Sequence, residues 1–313
     1  MKSYEKGFER LFAEIDKVVI GQDEVIRQMM VAILCDANAL LEGYPGLAKT
    51  LAVRTVAKLM DLKFSRIQNT PDLMPSDITG TYIIEERGGK REFRFQPGPV
   101  FCNILLADEI NRATPKTQSA LLEAMQERQV TVGNETFKLD RPFFVLATQN
   151  PIEQEGTYPL PEAQADRFLL KVITGYPSFE DEVRIVDQYS LSSAPPELPV
   201  LLNKKTLFAL QALVRQVPLA NDLKQRIVRI VTSTRRREGT MFEYGASPRA
   251  SIGLVLACKA RALMEGRNYV STKDIETMVF PVLRHRVILN FEAQRKGLTQ
   301  DDAIRDVIAK VKQ

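Results

Sequence analysis

The chain is predicted to fold as an α/β domain on a three-layer parallel sheet, followed by an all-helical domain, and three observations predict it. The stretch Gly43-Tyr44-Pro45-Gly46-Leu47-Ala48-Lys49-Thr50 joins an apolar run, Ala39 to Leu41, to a helical face of Leu51, Ala52, Thr55, Val56 and Leu59. It therefore sits between a strand and a helix. Two later apolar runs, Ile104 to Ala107 and Phe143 to Ala147, end in the polar tips Asp108-Glu109 and Thr148-Gln149-Asn150. Buried strands that end this way place polar groups on the rim where open α/β sheets hold their ligands. Beyond residue 200 apolar residues recur only at helical spacing: Leu207, Leu210, Leu213 and Val214; Ile227, Ile230 and Val231; Ile252, Leu256 and Leu263; Ile275, Val279 and Val282.

A length of 313 residues leaves room for roughly two domains. We expect the α/β part, with an N-terminal helix, over 1–175, a linker over 176–200 punctuated by Pro177, Pro195, Pro196 and Pro199, and the helical part over 201–313. Hydrophobic residues make up 44% and charged residues 26%, as in a globular chain, and 43 basic against 39 acidic residues leave a net charge of +4 that does not demand nucleic acid. No apolar run reaches the roughly 18 residues of a membrane span. Met1 to Lys6 is polar where a leader would turn apolar, so the expected location is the cytoplasm. Cys35, Cys102 and Cys258 are far apart in apolar surroundings, which suits reduced core thiols. His285 is the only histidine, so catalysis must draw on carboxylates, lysine, arginine or a bound ion.

In chain order, Phe8, Leu11, Phe12 and Ile15 make residues 4–16 an amphipathic helix expected on the outside of the domain. Val18-Val19-Ile20-Gly21-Gln22 follows as a short apolar stretch with a turn, either a strand end or the lining of a nucleotide-base pocket. Lys63 to Gln68 reads as a strand. Tyr82 to Glu86 and Arg91 to Phe95 flank Arg87-Gly88-Gly89-Lys90, a hairpin signal because Gly-Gly supplies positive φ. Thr117 to Arg128 reads as a helix, and Val130 to Gly133 with Thr136 to Leu139 as a second hairpin about Asn134. Arg235-Arg236-Arg237 lies at a predicted helix end, where basic residues favour the dipole and the solvent.

The glycine-bearing turn ahead of a helix is a phosphate cradle: bent backbone aims N–H groups inward, and the helix N-terminus adds a partial positive charge. Lys49 would reach the β- and γ-phosphates of a nucleotide and Thr50 would ligate Mg²⁺. Ala48 stands where the strict pattern has its last glycine, which is tolerable if that residue is already helical with negative φ. Asp108 would hold Mg²⁺ and its waters while Glu109 orients the attacking water, the two pointing to opposite sides as neighbours on a strand do. Asn150 would sit between the two catalytic strands, within reach of water and γ-phosphate.

Taken together, these residues resemble the MoxR family of AAA+ ATPases. The resemblance is carried by Gly43 to Thr50, Asp108-Glu109-Ile110-Asn111-Arg112-Ala113, Ala147-Thr148-Gln149-Asn150-Pro151, the run Glu155 to Phe168, and Gly245-Ala246-Ser247-Pro248-Arg249-Ala250. It implies a P-loop domain of the AAA+ type with β-hairpin inserts and a helical lid, ATP and Mg²⁺ as cofactors, and Ala48 as a family habit. It implies that Arg167 is similar to an arginine finger offered to a neighbouring subunit and Arg249 to the second sensor arginine of the lid. It further implies a homo-oligomer, a hexameric ring, with chaperone-like remodelling of a client and a von Willebrand factor A domain protein as a partner. Arg167 could equally pair with Asp166 or Glu162 on the surface, and Arg249 could cap the helix that Pro248 opens. A polar residue at the end of the second strand, Gln68 or Asn69, could restrain Glu109. A nucleotide-gated scaffold with little turnover and a nucleic-acid motor are the alternatives.

Overall fold

Alternation along short apolar strands builds the centre of the molecule. The computed structural model describes residues 2–87, 90–151, 156–191, 196–235 and 240–311. In chain order the first half is α1 (Lys2–Asp16), α2 (Asp23–Leu34), β1 (Ala39–Gly43), α3 (Lys49–Leu59), β2 (Phe64–Gln68), α4 (Pro75–Thr79), β3 (Gly80–Arg87), β4 (Lys90–Pro97), β5 (Ile104–Asp108), α5 (Pro115–Glu127), β6 (Gln129–Val132), β7 (Glu135–Lys138), β8 (Phe144–Gln149), α6 (Glu162–Ala165) and β9 (Leu170–Thr174). The rest comprises α7 (Phe179–Leu191), α8 (Lys204–Gln216), α9 (Asn221–Ser233), β10 (Phe242–Tyr244), α10 (Pro248–Met264), α11 (Thr272–Leu283), β11 (Ile288–Leu289), α12 (Phe291–Arg295) and α13 (Gln300–Lys310).

Five strands pair in parallel in the order β2-β5-β8-β1-β9. Ile104 and Leu106 of β5 enter one core with α1, α2, α3 and the C-terminal helices, while Leu105 and Ala107 enter another beneath α5. Neighbours on a strand face opposite ways, so a run apolar at every position serves two layers. The three-layer α/β expectation is met. The strand bearing Asn150 lies between the strand ending in Asp108 and the strand that feeds the lysine turn.

The N-terminal helix is amphipathic and peripheral as expected: Phe8, Leu11 and Ile15 are buried against α2, α3 and α10 while Lys6, Glu9 and Arg10 are exposed. Gly266, just after α10 and at φ 68°, abuts Glu5 so closely that a Cβ there would lie 2.7 Å from the Glu5 Cβ. Two expectations change. The C-terminal part is not purely helical, since Phe242–Tyr244 pairs antiparallel with Ile288–Leu289. These strands are too short to show a period of two, which is why helical spacing was all that could be read. Residues 176–200 contain α7, a 13-residue helix.

Both expected hairpins form, β3 with β4 from Gly80 opposite Pro97 to Arg87 opposite Lys90, and β6 with β7 across Gly133 at φ 61°. Gly88 and Gly89 lie outside the described residues. Phe95 of the first hairpin stacks on Phe137 of the second with centroids 4.0 Å apart and planes 9° from parallel. Arg235 follows α9, and Arg236 and Arg237 lie outside the described residues.

Candidate active site

Gly43 ends β1 pressed against the neighbouring strand: a Cβ there would stand 2.7 Å from the Thr174 carbonyl oxygen. The chain then turns through Gly46 at φ 84° and Ala48 at φ 54°, ψ 19°, and α3 begins at Lys49. Ala48 is thus left-handed and precedes the helix, contrary to the expectation of a helical residue with negative φ. The bend needs a second positive φ to aim the following N–H groups at one point. In that region alanine costs roughly 1–2 kcal/mol that glycine would not.

This turn forms one wall of a cavity of about 400 Å³ lined by Pro45 to Leu51, Arg66, Asp108, Glu109, Thr148 and Asn150. Lys49 Nζ folds back to donate to the carbonyl oxygens of Gly43 and Tyr44. Burial holds its ammonium below the usual lysine range, against the opposing pull of Asp108, Glu109 and Glu42. Such a lysine is short of anionic partners, and phosphate oxygens would supply them.

Asp108 closes β5, but Glu109 is not on the strand. It sits at φ 55°, ψ 53° and starts a single 3₁₀ turn, Ile110–Arg112. The two acids diverge because of that left-handed residue, and strand alternation has no part in it. Thr148 joins them: its hydroxyl donates to Asp108 Oδ1 at 2.6 Å and accepts from the Glu109 N–H at 2.8 Å. Asp108 Oδ2 accepts from Arg66 Nη2 at 2.6 Å and Nε at 3.0 Å. Glu109 pairs with Arg112 at 3.1 Å. Asn69, fully buried, donates from Nδ2 to the Asp108 carbonyl at 2.7 Å, and Gln68 accepts from Arg66. Neither contacts the Glu109 carboxylate in this arrangement.

The donor set suits a hard divalent cation, with Thr50 and Asp108 lining the same cavity. Among the described residues no three His, Cys, Asp or Glu side chains converge. An ion held here would therefore complete its shell with phosphate oxygens and water, as Mg²⁺ characteristically does.

Arg167 and Arg249 are elsewhere. Both line a second cavity, of about 550 Å³, with Asp36, Asn38, Arg128 and Ile252. Asp36 and Asn38 enter β1, whereas the lysine turn leaves it five residues on, roughly 17 Å away along extended chain. The two cavities open at opposite ends of the strands of one sheet. The neighbouring Asp166 accepts from Arg286 at 2.7 Å and Ser247 at 3.0 Å, with Arg249 at 3.7 Å. Among the described residues no carboxylate lies within 4.0 Å of Arg167, so the surface pair with Asp166 or Glu162 does not form. Ile252, read as a core position, is 63% exposed beside these arginines. The helix instead buries its small residues Ala250, Gly253 and Ala257, which let it pass close to its neighbours.

Val19, Ile20, Gly21 and Gln22 form a buried turn, with Gly21 at φ 73° and the Gln22 amide donating to the Gly175 carbonyl at 3.0 Å. They adjoin the sheet end next to Gly43 without lining the lysine cavity. Of the run Glu155 to Phe168, Glu155 lies outside the described residues. Tyr158 donates its N–H to the Asn111 carbonyl, and buried Gln118 bridges the carbonyls of Ile110 and Tyr158. The turn after Glu109 is thereby tied to the segment that leads to Arg167.

Residues 38–170 match the model of the ATPase family associated with various cellular activities (AAA), and residues 234–307 match the AAA lid domain. The chain is 46% identical to Chaperone MoxR1 of Mycobacterium tuberculosis over 97% of its own length and 81% of that protein's. It is 44% identical to protein YeaC of Bacillus subtilis, covering 95% and 92%. A crystal structure of a candidate ATPase from Cytophaga hutchinsonii superposes with a TM-score of 0.92 at 43% identity, covering 99% of this chain and 96% of that one.

Proposed function

Because the chain belongs to the MoxR family of AAA+ ATPases, we propose that it hydrolyses Mg²⁺-bound ATP in a homo-oligomeric ring whose subunits complete one another's sites. The output would be chaperone-like remodelling of a client protein, as the name of the Mycobacterium tuberculosis relative suggests. In this reading residues 1–175 bind nucleotide, 176–200 connect, and 201–313 form the lid. We place the protein in the cytoplasm; among the described residues no helix is long and apolar enough to cross a membrane.

Lys49 and the N–H groups from Gly46 to Thr50 would hold the β- and γ-phosphates. Thr50 and, through water, Asp108 would hold Mg²⁺, which would supply positive charge to the phosphates. Glu109 would accept a proton from a water that Asn150 helps to hold, as the water oxygen bonds to the γ-phosphorus. The bond from that phosphorus to the β–γ bridging oxygen breaks, and ADP and phosphate leave. Arg167 and Arg249 from the adjacent subunit would meet the charge spreading over the γ-phosphoryl oxygens.

One observation carries the proposal: the carboxylates and lysine lie at one end of the parallel strands and the two arginines at the other. A subunit so built is complementary to itself head to tail, and such contacts close into rings when the rotation allows. ATPase rate against protein concentration tests it, with sizing of the ATP-bound species. The specific rate should rise with concentration and fall by roughly 10³-fold or more in Arg167→Ala. A concentration-independent rate unaffected by Arg167→Ala would contradict it.

A further inference from the structure

Both oxygens of the Asp108 carboxylate are already engaged, Oδ1 by the Thr148 hydroxyl and Oδ2 by two nitrogens of Arg66. A cation or its bound water can reach Oδ2 only if the guanidinium leaves. Arg66 is placed to leave. It lies on β2, the edge strand, and its side chain is 46% exposed against 12% for Asp108. Its Nη2 is steadied on the outer side by Gln68 Oε1 at 2.7 Å, an acceptor that could keep it when Asp108 is released. Lys49 likewise rests on backbone carbonyls of its own turn. Both cations on this wall are thus parked on protein acceptors that a metal–nucleotide complex would replace.

We propose that Arg66 is a positioning residue that occupies the Asp108 carboxylate in place of the divalent cation and must exchange with it when nucleotide binds. This rests on reading the lysine turn as a Mg²⁺–nucleotide site. Without Arg66, Asp108 would face the cavity with no ion pair of its own, whereas Glu109 keeps Arg112. With it, Asp108 keeps its geometry, and the cation enters at the cost of one charge-assisted contact. The exchange sets a threshold on Mg²⁺: the tighter the guanidinium holds, the more metal is needed for nucleotide to bind firmly.

Calorimetric titration of the full chain with the non-hydrolysable analogue AMP-PNP, in Mg²⁺ and in EDTA, tests this. The quantity read is the ratio of the two affinities, which cancels any general loss of positive charge. In Arg66→Gln the ratio should rise roughly three- to tenfold, between what an exposed pair and a charge-assisted bond contribute. Arg66→Lys keeps the charge without the two-nitrogen grip and should fall between, and it carries the test alone if Arg66→Gln does not fold. A ratio unchanged or lowered in a folded variant overturns the exchange, a lowered one meaning that Arg66 assists the metal. Wild-type protein that binds no AMP-PNP in Mg²⁺ would instead overturn the reading of the site itself.

Discussion

The Thr148 hydroxyl stands 2.6 Å from Oδ1 of Asp108, inside the sheet, with the threonine 1% exposed. Because the same oxygen receives the Glu109 N–H, one small group spaces both acids. Thr148→Val keeps the shape and strands a carboxylate oxygen and an amide, at a cost of roughly 2 kcal/mol. Turnover should fall at least about tenfold, the loss expected of a weakened proton acceptor, and Thr148→Ser should restore most of it. Chemical denaturation with steady-state kinetics checks both.

Mixing separates the two ends of the strands. Lys49→Ala spoils the subunit's own cavity and Arg167→Ala the one it offers. Each variant alone should be nearly inactive, and an equal mixture should regain activity at junctions pairing an intact lysine turn with an intact arginine. A mixture no more active than its parts would mean that the arginine works within its own chain.

Glu109→Gln should keep ATP affinity within about threefold and lower turnover by roughly 10² or more, the contribution of a proton acceptor. Equilibrium binding and single-turnover hydrolysis distinguish this from a loss of binding.

Ala48→Gly should leave nucleotide binding intact. Relief of the left-handed alanine, roughly 1–2 kcal/mol, slightly outweighs glycine's extra backbone entropy, roughly 0.5–1 kcal/mol, so a small gain in stability is expected. Ala48→Val should be clearly destabilising. Urea denaturation reads both, and a marked loss with glycine would contradict the φ of 54°.

His285 should make stability fall in mild acid. Its Nε2 lies 3.0 Å from the Phe168 carbonyl and must donate to it, which leaves buried Nδ1 with no partner among the described residues. Burial, then the charges of Arg286, Lys171 and Arg284, hold the ring well below 6.5. The unfolded chain therefore takes up a proton below pH 6.5 that the folded chain refuses. Stability is complete above that pH and declines below it by up to about 1.4 kcal/mol per pH unit. His285→Gln should flatten the difference between melting at pH 7.5 and at about pH 5.5.

The sheet and the lysine cavity were legible because they rest on local patterns: apolar runs with polar tips, and glycines beside a lysine. Thr148 lay inside a recognised strand, yet its double role depends on β8 lying beside β5, which no local pattern states. Arg66 was hidden for the same reason, since only the pairing of Gln68 with Asp108 brings it within reach. Ala48 and Glu109 were misjudged in backbone alone, because positive φ at a residue with a Cβ leaves no mark in composition. Ile252 was misread because α10 buries alanine and glycine, so the helix lacks a clear apolar face.

The N-terminal helix, wedged against α3 and α10 at once, has a consequence for how such chains can be recombined. Leu169 fills the space beside Gly253, and buried residues of both regions belong to one core, so the stretches matched by the two family models share one interior. A chimera that took its last third from a relative would have to import the matching first helix as well, or open a gap along the whole seam.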